Sequence, residues 1–195
     1  MFTGIIQDIG TLEQIGKGLY NIKTNLDLSS CTEGSSISCN GVCLTATNIN
    51  KNNQVYNFEV NIGEETLKRT NLKKCLTNKD KINIEKSLSI GDEIGGHFVY
   101  GHVDATTSLV KKINLENSWE YYFKKNFGIN NKFIIEKASI SINGISLTIA
   151  NVYNDTFNIS VIDHTYNKTN LQFLELEDYV NIEFDYLARF ILKND

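Results

Sequence analysis

Apolar and polar residues alternate along most of this chain with the period of a half-buried strand. Val55-Tyr56-Asn57-Phe58-Glu59-Val60, Lys81-Ile82-Asn83-Ile84-Glu85, Phe157-Asn158-Ile159-Ser160-Val161-Ile162 and Val180-Asn181-Ile182-Glu183-Phe184 follow this rule, because successive strand side chains point to opposite faces. Asn40-Gly41 and Asn143-Gly144 each stand between β-rich runs, and both residue types tolerate the positive φ of a tight hairpin. Helices are predicted over only three stretches, 65–70, 119–127 and 186–192.

The pattern occurs twice. The decapeptide from Ser36 to Thr45, SISCNGVCLT, returns from Ser139 to Thr148 as SISINGISLT. Gly4 pairs in the same order with Gly101, and Thr66, Thr70, Asn71 and Leu72 with Thr165, Thr169, Asn170 and Leu171. The spacing between blocks drifts by a few residues, as expected where elements are matched and loops are free to vary. An ordered repeat of this length means two copies of one small fold. Six or so strands in about 95 residues suit a small closed barrel, which leaves no open edge. The chain therefore reads as all-β: two tandem six-stranded barrels related by pseudo-twofold symmetry, with a short C-terminal helix. The glycines Gly95-Gly96 mark the joint, giving modules 1–97 and 98–195.

Composition narrows the function classes. Hydrophobic residues make up 41% and charged residues 22% of 195 positions, with a net charge of −4. An acidic balance without a basic face argues against nucleic acid as a partner. No stretch reaches the roughly 18–20 apolar residues of a membrane span, and the N-terminus lacks the basic start and apolar run of a signal peptide, so a cytoplasmic protein is expected. All four cysteines (Cys31, Cys39, Cys43 and Cys75) lie in the first copy, and the second has Ile142 and Ser146 opposite Cys39 and Cys43. A disulfide or metal framework needed by one copy would be needed by both, so free thiols and no metal are expected.

Met1-Phe2-Thr3-Gly4-Ile5-Ile6, Asn40-Gly41-Val42-Cys43-Leu44-Thr45, Glu65-Thr66-Leu67, Gly95-Gly96-His97, Gly101-His102 and Asn143-Gly144-Ile145-Ser146-Leu147-Thr148 together resemble the riboflavin synthase family of the duplicated-barrel type. The match spans essentially the whole chain in order. It implies two Greek-key barrels, each holding one 6,7-dimethyl-8-ribityllumazine, in a homotrimer whose productive site pairs the first barrel of one subunit with the second of its neighbour. It further implies transfer of a four-carbon unit between two lumazines, giving riboflavin and 5-amino-6-(D-ribitylamino)uracil without metal or redox cofactor. Lumazine synthase is a partner the resemblance suggests. A non-catalytic lumazine- or flavin-binding protein on the same barrels is the alternative; such proteins tend to lose polar site residues in one half, whereas both halves keep them here.

Carried over by position, the resemblance marks His102 as a proton shuttle and Cys43 and Ser146 as counterparts at the two reacting centres. Thr148, Ser36 and Asp185 join them as catalytic candidates, while His97 is assigned to the inter-barrel joint. Ring and ribityl contacts are expected from Gly4, Ile5 and Ile6, from Leu44 and Thr45, from Gly101 and Val103, and from Lys137 and Leu147. The remaining contacts fall on two matched turns, Asn61, Ile62, Gly63, Glu64, Glu65 and Thr66, and Ser160, Val161, Ile162, Asp163, His164 and Thr165. Where the family commonly has an acid, this chain has Asn143; this slows turnover if the acid moves a proton and is neutral if it only shapes the turn. The tail from Leu187 to Leu192 resembles the start of the family's trimerisation helix, and a short helix implies a weaker trimer.

Overall fold

In the computed structural model, which describes residues 1–78 and 81–192, the strand-period segments form two antiparallel systems in chain order. The first contains β1 (Asp8–Gly16), β2 (Leu19–Thr24), β3 (Ser36–Cys39), β4 (Val42–Thr45), β5 (Thr47–Asn52), β6 (Val55–Asn61), α1 (Glu64–Arg69), α2 (Leu72–Asn78) and β7 (Lys81–Lys86). The second contains β8 (Ala105–Leu115), β9 (Ser118–Lys124), β10 (Ser139–Ile142), β11 (Ile145–Val152), β12 (Thr156–Ile162), α3 (Asp163–Lys168) and β13 (Tyr179–Phe184), followed by α4 (Tyr186–Leu192). The last residues of the second predicted module, 193–195, lie outside the described residues.

The second system is a closed barrel, β10-β11-β12-β9-β8-β13. The first is a seven-stranded sheet, β4-β3-β7-β1-β2-β6-β5. Its terminal strands β4 and β5 are separated by Ala46 alone, so this sheet also wraps around on itself, with the counterpart of β11 broken in two. Matched strand for strand, the two orders are the same. In each, hairpins alternate with connections that cross a barrel end, the Greek-key arrangement. The inward residues form separate cores, around Ile22, Ile37, Phe58 and Ile82 in one barrel and Leu109, Phe123, Phe157 and Ile182 in the other.

One predicted helix is a strand. Residues 119–124 belong to β9, which pairs with β12 through Phe157↔Phe123 and Ile159↔Tyr121, and with β8 on its other side. Tyr121 and Phe123 are fully buried on one face while Glu120 and Lys124 lie outside the core. Aromatic residues suit a pleated surface, and burial on a two-residue period overrides the helix-forming glutamate and lysines around them.

The barrels meet at their Asn-Gly turns. Asn40 and Gly41 have φ of 51° and 75°, and Asn143 and Gly144 have 48° and 82°. A Cβ on Gly41 would lie 2.7 Å from the Gly144 backbone nitrogen, and one on Gly144 2.7 Å from that of Gly41; two backbones touch here because neither residue has a side chain. Around this point the amides bond in exchanged pairs. The Asn83 N–H donates to Asn40 Oδ1 and the Asn181 N–H to Asn143 Oδ1, both at 2.8 Å. Asn71 Nδ2 donates to Asn143 Oδ1 at 3.1 Å, and Asn170 Nδ2 to Asn40 Oδ1 at 3.0 Å. Asn83 Nδ2 reaches the Asn143 carbonyl at 3.0 Å, and Asn181 Nδ2 the Asn40 carbonyl at 2.8 Å. A misdocked pair of barrels would leave these buried amides unpaired, at about 1–3 kcal/mol each, so the network selects one mutual orientation. Asn143 is 0% exposed within it. Its carboxamide builds the joint, which is the turn-shaping alternative.

Candidate functional site

The segments that lead into the barrels are exchanged. Residues Thr3-Gly4-Ile5 precede β1, yet the Gly4 carbonyl accepts the Ser146 N–H at 2.8 Å on β11, and Ile6 packs against the second core. Tyr100-Gly101-His102 precede β8, yet the Gly101 carbonyl accepts the Cys43 N–H at 2.9 Å on β4, and Val103 packs against the first core. Glycine is required at both crossings: φ is +75° and +79°, and an added Cβ would lie 2.5 Å from the Ser146 nitrogen or from Cys43 Cβ.

Two buried carboxylates hold these segments. Glu85 on β7 accepts the Thr3 N–H at 2.8 Å, the Thr3 hydroxyl at 3.0 Å and the Gly4 N–H at 3.1 Å. Glu183 on β13, at the matching place, accepts the N–H groups of Tyr100, Gly101 and His102 at 2.6, 2.8 and 2.8 Å. Burial raises the pKa of both, and the bonded N–H groups oppose the shift. Neither glutamate is a sequence candidate, although each repeats at the same point of an alternating strand.

The candidates consequently divide into two clusters. In one, Ser146 Oγ lies 2.7 Å from His97 Nδ1, Thr148 follows two residues along the same face of β11, and Asp185 bears on His97 electrostatically. Burial depresses the His97 pKa, against the opposing pull of Asp185, so the ring is neutral near pH 7 and one nitrogen can accept a proton. In the other, Cys43 and Thr45 stand on β4 beside Gly101 and His102, and Ser36 pairs across to Thr45. His102 is thus joined through Gly101 to the cysteine, and the histidine at Ser146 is His97, the one assigned from sequence to the joint.

Each barrel is unzipped at its cluster. The β11–β12 ladder ends at Ile149↔Ile159 and the β5–β6 ladder at Thr47↔Glu59. Ser146–Thr148 therefore face Ser160–Ile162, and Cys43–Thr45 face Asn61–Gly63, without ladder pairs among the described residues. Since backbone groups two residues apart share a side and the Ser146 N–H points away from β10 to Gly4, the Thr148 N–H and carbonyl point into this gap; Thr45 repeats the geometry. Unpaired strand edges present spaced donors and acceptors, the complement of a heterocycle edge.

The turns contribute unevenly. Leu44, Ile62 and Val161 have buried side chains in the two cores, leaving only backbone for a ligand, and Leu147 packs partly on the second core. Asn61 and Gly63, and Ser160 and Ile162, are exposed at the gaps. Glu64 is exposed, and Glu65 pairs with Arg69 in solvent. Asp163 and His164 are likewise exposed, and Thr66 and Thr165 are half-buried. Lys137 has φ +67° and donates its N–H to the Ile149 carbonyl at 2.9 Å, where Gly34 at φ +89° donates to Ala46 in the first barrel. A lysine kept where its counterpart is glycine carries backbone strain, which concentrates at functional positions.

A model of the lumazine binding domain matches this chain twice, over residues 3–87 and 100–185. Riboflavin synthase of Actinobacillus pleuropneumoniae is 36% identical over 99% of this chain and 91% of its own length. That of Bacillus subtilis is also 36% identical, over 99% and 89%, and that of Schizosaccharomyces pombe 33%, over 99% and 93%. Among solved structures, LumP complexed with riboflavin superimposes with a TM-score of 0.79 at 24% identity, covering 94% of this chain and 99% of that one, a likeness of fold. With both domain copies matched and full-length relatives above 30% identity, the chain belongs to the riboflavin synthase family.

Proposed function

We propose that the protein transfers a four-carbon unit between two molecules of 6,7-dimethyl-8-ribityllumazine, releasing riboflavin and 5-amino-6-(D-ribitylamino)uracil. The observation that carries this reading is the pair of matched gaps with unmatched reacting groups, Ser146–His97 at one and Cys43–His102 at the other. Two like heterocycles are bound alike and treated differently. Neutral His97 accepts a proton through the Ser146 hydroxyl as one lumazine loses it from its acidified ring methyl, while Cys43 faces the ring carbon that receives the new bond. Thr45, Thr148 and the turns at 61–66 and 160–165 hold the rings and ribityl chains, with Lys137 at the second barrel. Holding two reactants in register is worth up to about 7–11 kcal/mol in favourable cases. The working modules are 1–97 and 98–195, and the working assembly is a cytoplasmic homotrimer, in which the exposed Leu187, Phe190 and Ile191 of α4 bury against neighbours.

The test is to mix cofactor-free protein with the lumazine and follow riboflavin by absorbance. One riboflavin per two lumazines consumed supports the reading. Shifted lumazine fluorescence with no riboflavin assigns the non-catalytic alternative, and no binding removes both.

Two further results are expected. Because the folded chain takes up the His97 proton below the ordinary value of 6.5, kcat/KM is expected to fall on the acid side, with a midpoint below 6.5. Between 6.5 and the lower folded-state value the unfolded chain binds more protons, so stability also falls as pH drops through that window. His97→Gln removes this acid limb; a limb unchanged in the variant assigns it elsewhere. Glu183→Gln leaves one carboxamide oxygen for three N–H groups, loosening His102, and is expected to lower kcat about tenfold or more, with the far-ultraviolet circular dichroism of the barrel retained. A kcat equal to wild type makes the carboxylate dispensable.

A further inference from the structure

Outside the two gaps, the second barrel carries a side-chain assembly that the first lacks. Trp119 on β9 and Tyr166 on α3 stack with ring centroids 4.2 Å apart and planes 3° from parallel. Lys112 on β8 lays its ammonium 5.1 Å from the Trp119 ring, and 5.3 Å from both Tyr166 and Tyr121. It also donates to the Leu174 carbonyl at 3.3 Å. A cation over several ring faces is held by the rings' negative quadrupoles, more strongly as water is excluded.

The counterparts follow from register. Val161 pairs with Trp119, and at the matching point of the first barrel the Ile62 N–H donates to the Gly18 carbonyl. Lys112 pairs with Tyr121, as Gln14 pairs with Tyr20. Tyr166 follows Thr165 as Leu67 follows Thr66. Lys112, Trp119 and Tyr166 thus replace Gln14, Gly18 and Leu67.

We propose that Lys112, Trp119 and Tyr166 form a clamp that fixes α3, and with it the turn at 160–165, so that the second barrel positions its heterocycle more rigidly than the first. A six-residue helix does not hold itself in water; α3 must be fixed by what it packs on. Its counterpart α1 is held by one aliphatic side chain, Leu67, buried in the first core, with no stacked ring or cation across it among the described residues. One fixed and one adaptable ring is the asymmetry wanted of two like substrates that leave as different products. The clamp residues reach no reacting atom and act as positioning residues. This inference rests on the proposed lumazine-binding reading.

The experiment titrates wild-type protein, Tyr166→Leu, Lys112→Met and Lys112→Arg with riboflavin, following quenched flavin fluorescence, alongside kcat, KM and thermal melting. Wild type is expected to take up two flavins per chain. Tyr166→Leu, which installs the first barrel's residue, and Lys112→Met weaken one of the two about tenfold and leave the other unchanged, with KM rising by a similar factor. Lys112→Arg restores it, since a guanidinium also caps aromatic rings. If Tyr166→Leu does not fold, the contrast between Met and Arg at position 112 decides alone. Lower melting temperatures with both flavin affinities at wild-type values overturn the clamp and leave it a structural contact. Wild type that binds no flavin and makes none overturns the reading beneath it.

Discussion

Ser146→Ala is expected to lower kcat for riboflavin formation by about 10²-fold or more, the scale of a removed proton-transfer group, while riboflavin affinity changes only a few-fold. The split follows from the geometry. In the proposed site the ring edges meet backbone groups of Thr148 and the facing turn, which alanine at 146 leaves in place, since its N–H still donates to the Gly4 carbonyl. What alanine removes is the hydroxyl 2.7 Å from His97 Nδ1, leaving a half-buried imidazole without that partner. His97→Gln is expected to fall to a similar level, and the double variant little further, because groups acting as one unit are not additive. Cys43→Ser, which keeps a small polar group at the other gap, loses less. Stopped-flow absorbance under single-turnover conditions separates chemistry from release. A Ser146→Ala rate within about threefold of wild type would remove Ser146 from the chemistry.

Gly41→Val is expected to destabilise the protein by about 3–5 kcal/mol, combining strain at positive φ with overpacking. At φ +75° the new Cβ falls 2.7 Å from the Gly144 nitrogen and 3.0 Å from its Cα, and backbone has nowhere to move without breaking the asparagine bonds around it. For a chain of this size that is a drop in Tm of order 10 °C. Gly34→Ala is the control, for its φ of +89° is equally left-handed but nothing lies within 4 Å of the new Cβ. It is expected to cost about 1 kcal/mol, the conformational part alone. Differential scanning calorimetry reads both. Equal losses in the two variants would mean that the joint contributes no packing, and that the asparagine network is not what orients the barrels.

Elements were legible where one face is buried and the other wet. Val55–Asn61, Lys81–Lys86 and Tyr179–Phe184 are strands because alternation is a property of the segment itself. The Asn-Gly hairpins and the tail helix were legible for the same local reason. The stretch at 119–124 was misread because its charged flanks suit a helix, and the two neighbours that bury Tyr121 and Phe123 come from sequence positions far away. The small helices α2 and α3 lie where the sequence pattern predicts no element.

The amino-acid order by itself determined that there are two like modules, that each is a small β-barrel, and which residues mark a lumazine-binding chain. Those are consequences of repetition and of side-chain period, which need no knowledge of what lies across the fold. Only the tertiary structure decided which candidates meet. The leading segments cross over, so His97 joins Ser146 and His102 joins Cys43, although the order of residues pairs neither. Asn143, for which the sequence left a proton-moving and a turn-shaping role open, is buried in the joint, and Glu85 and Glu183 hold both crossings. A buried carboxylate or amide is defined by the distant backbone groups it bonds, and those are brought to it only by the closed barrels.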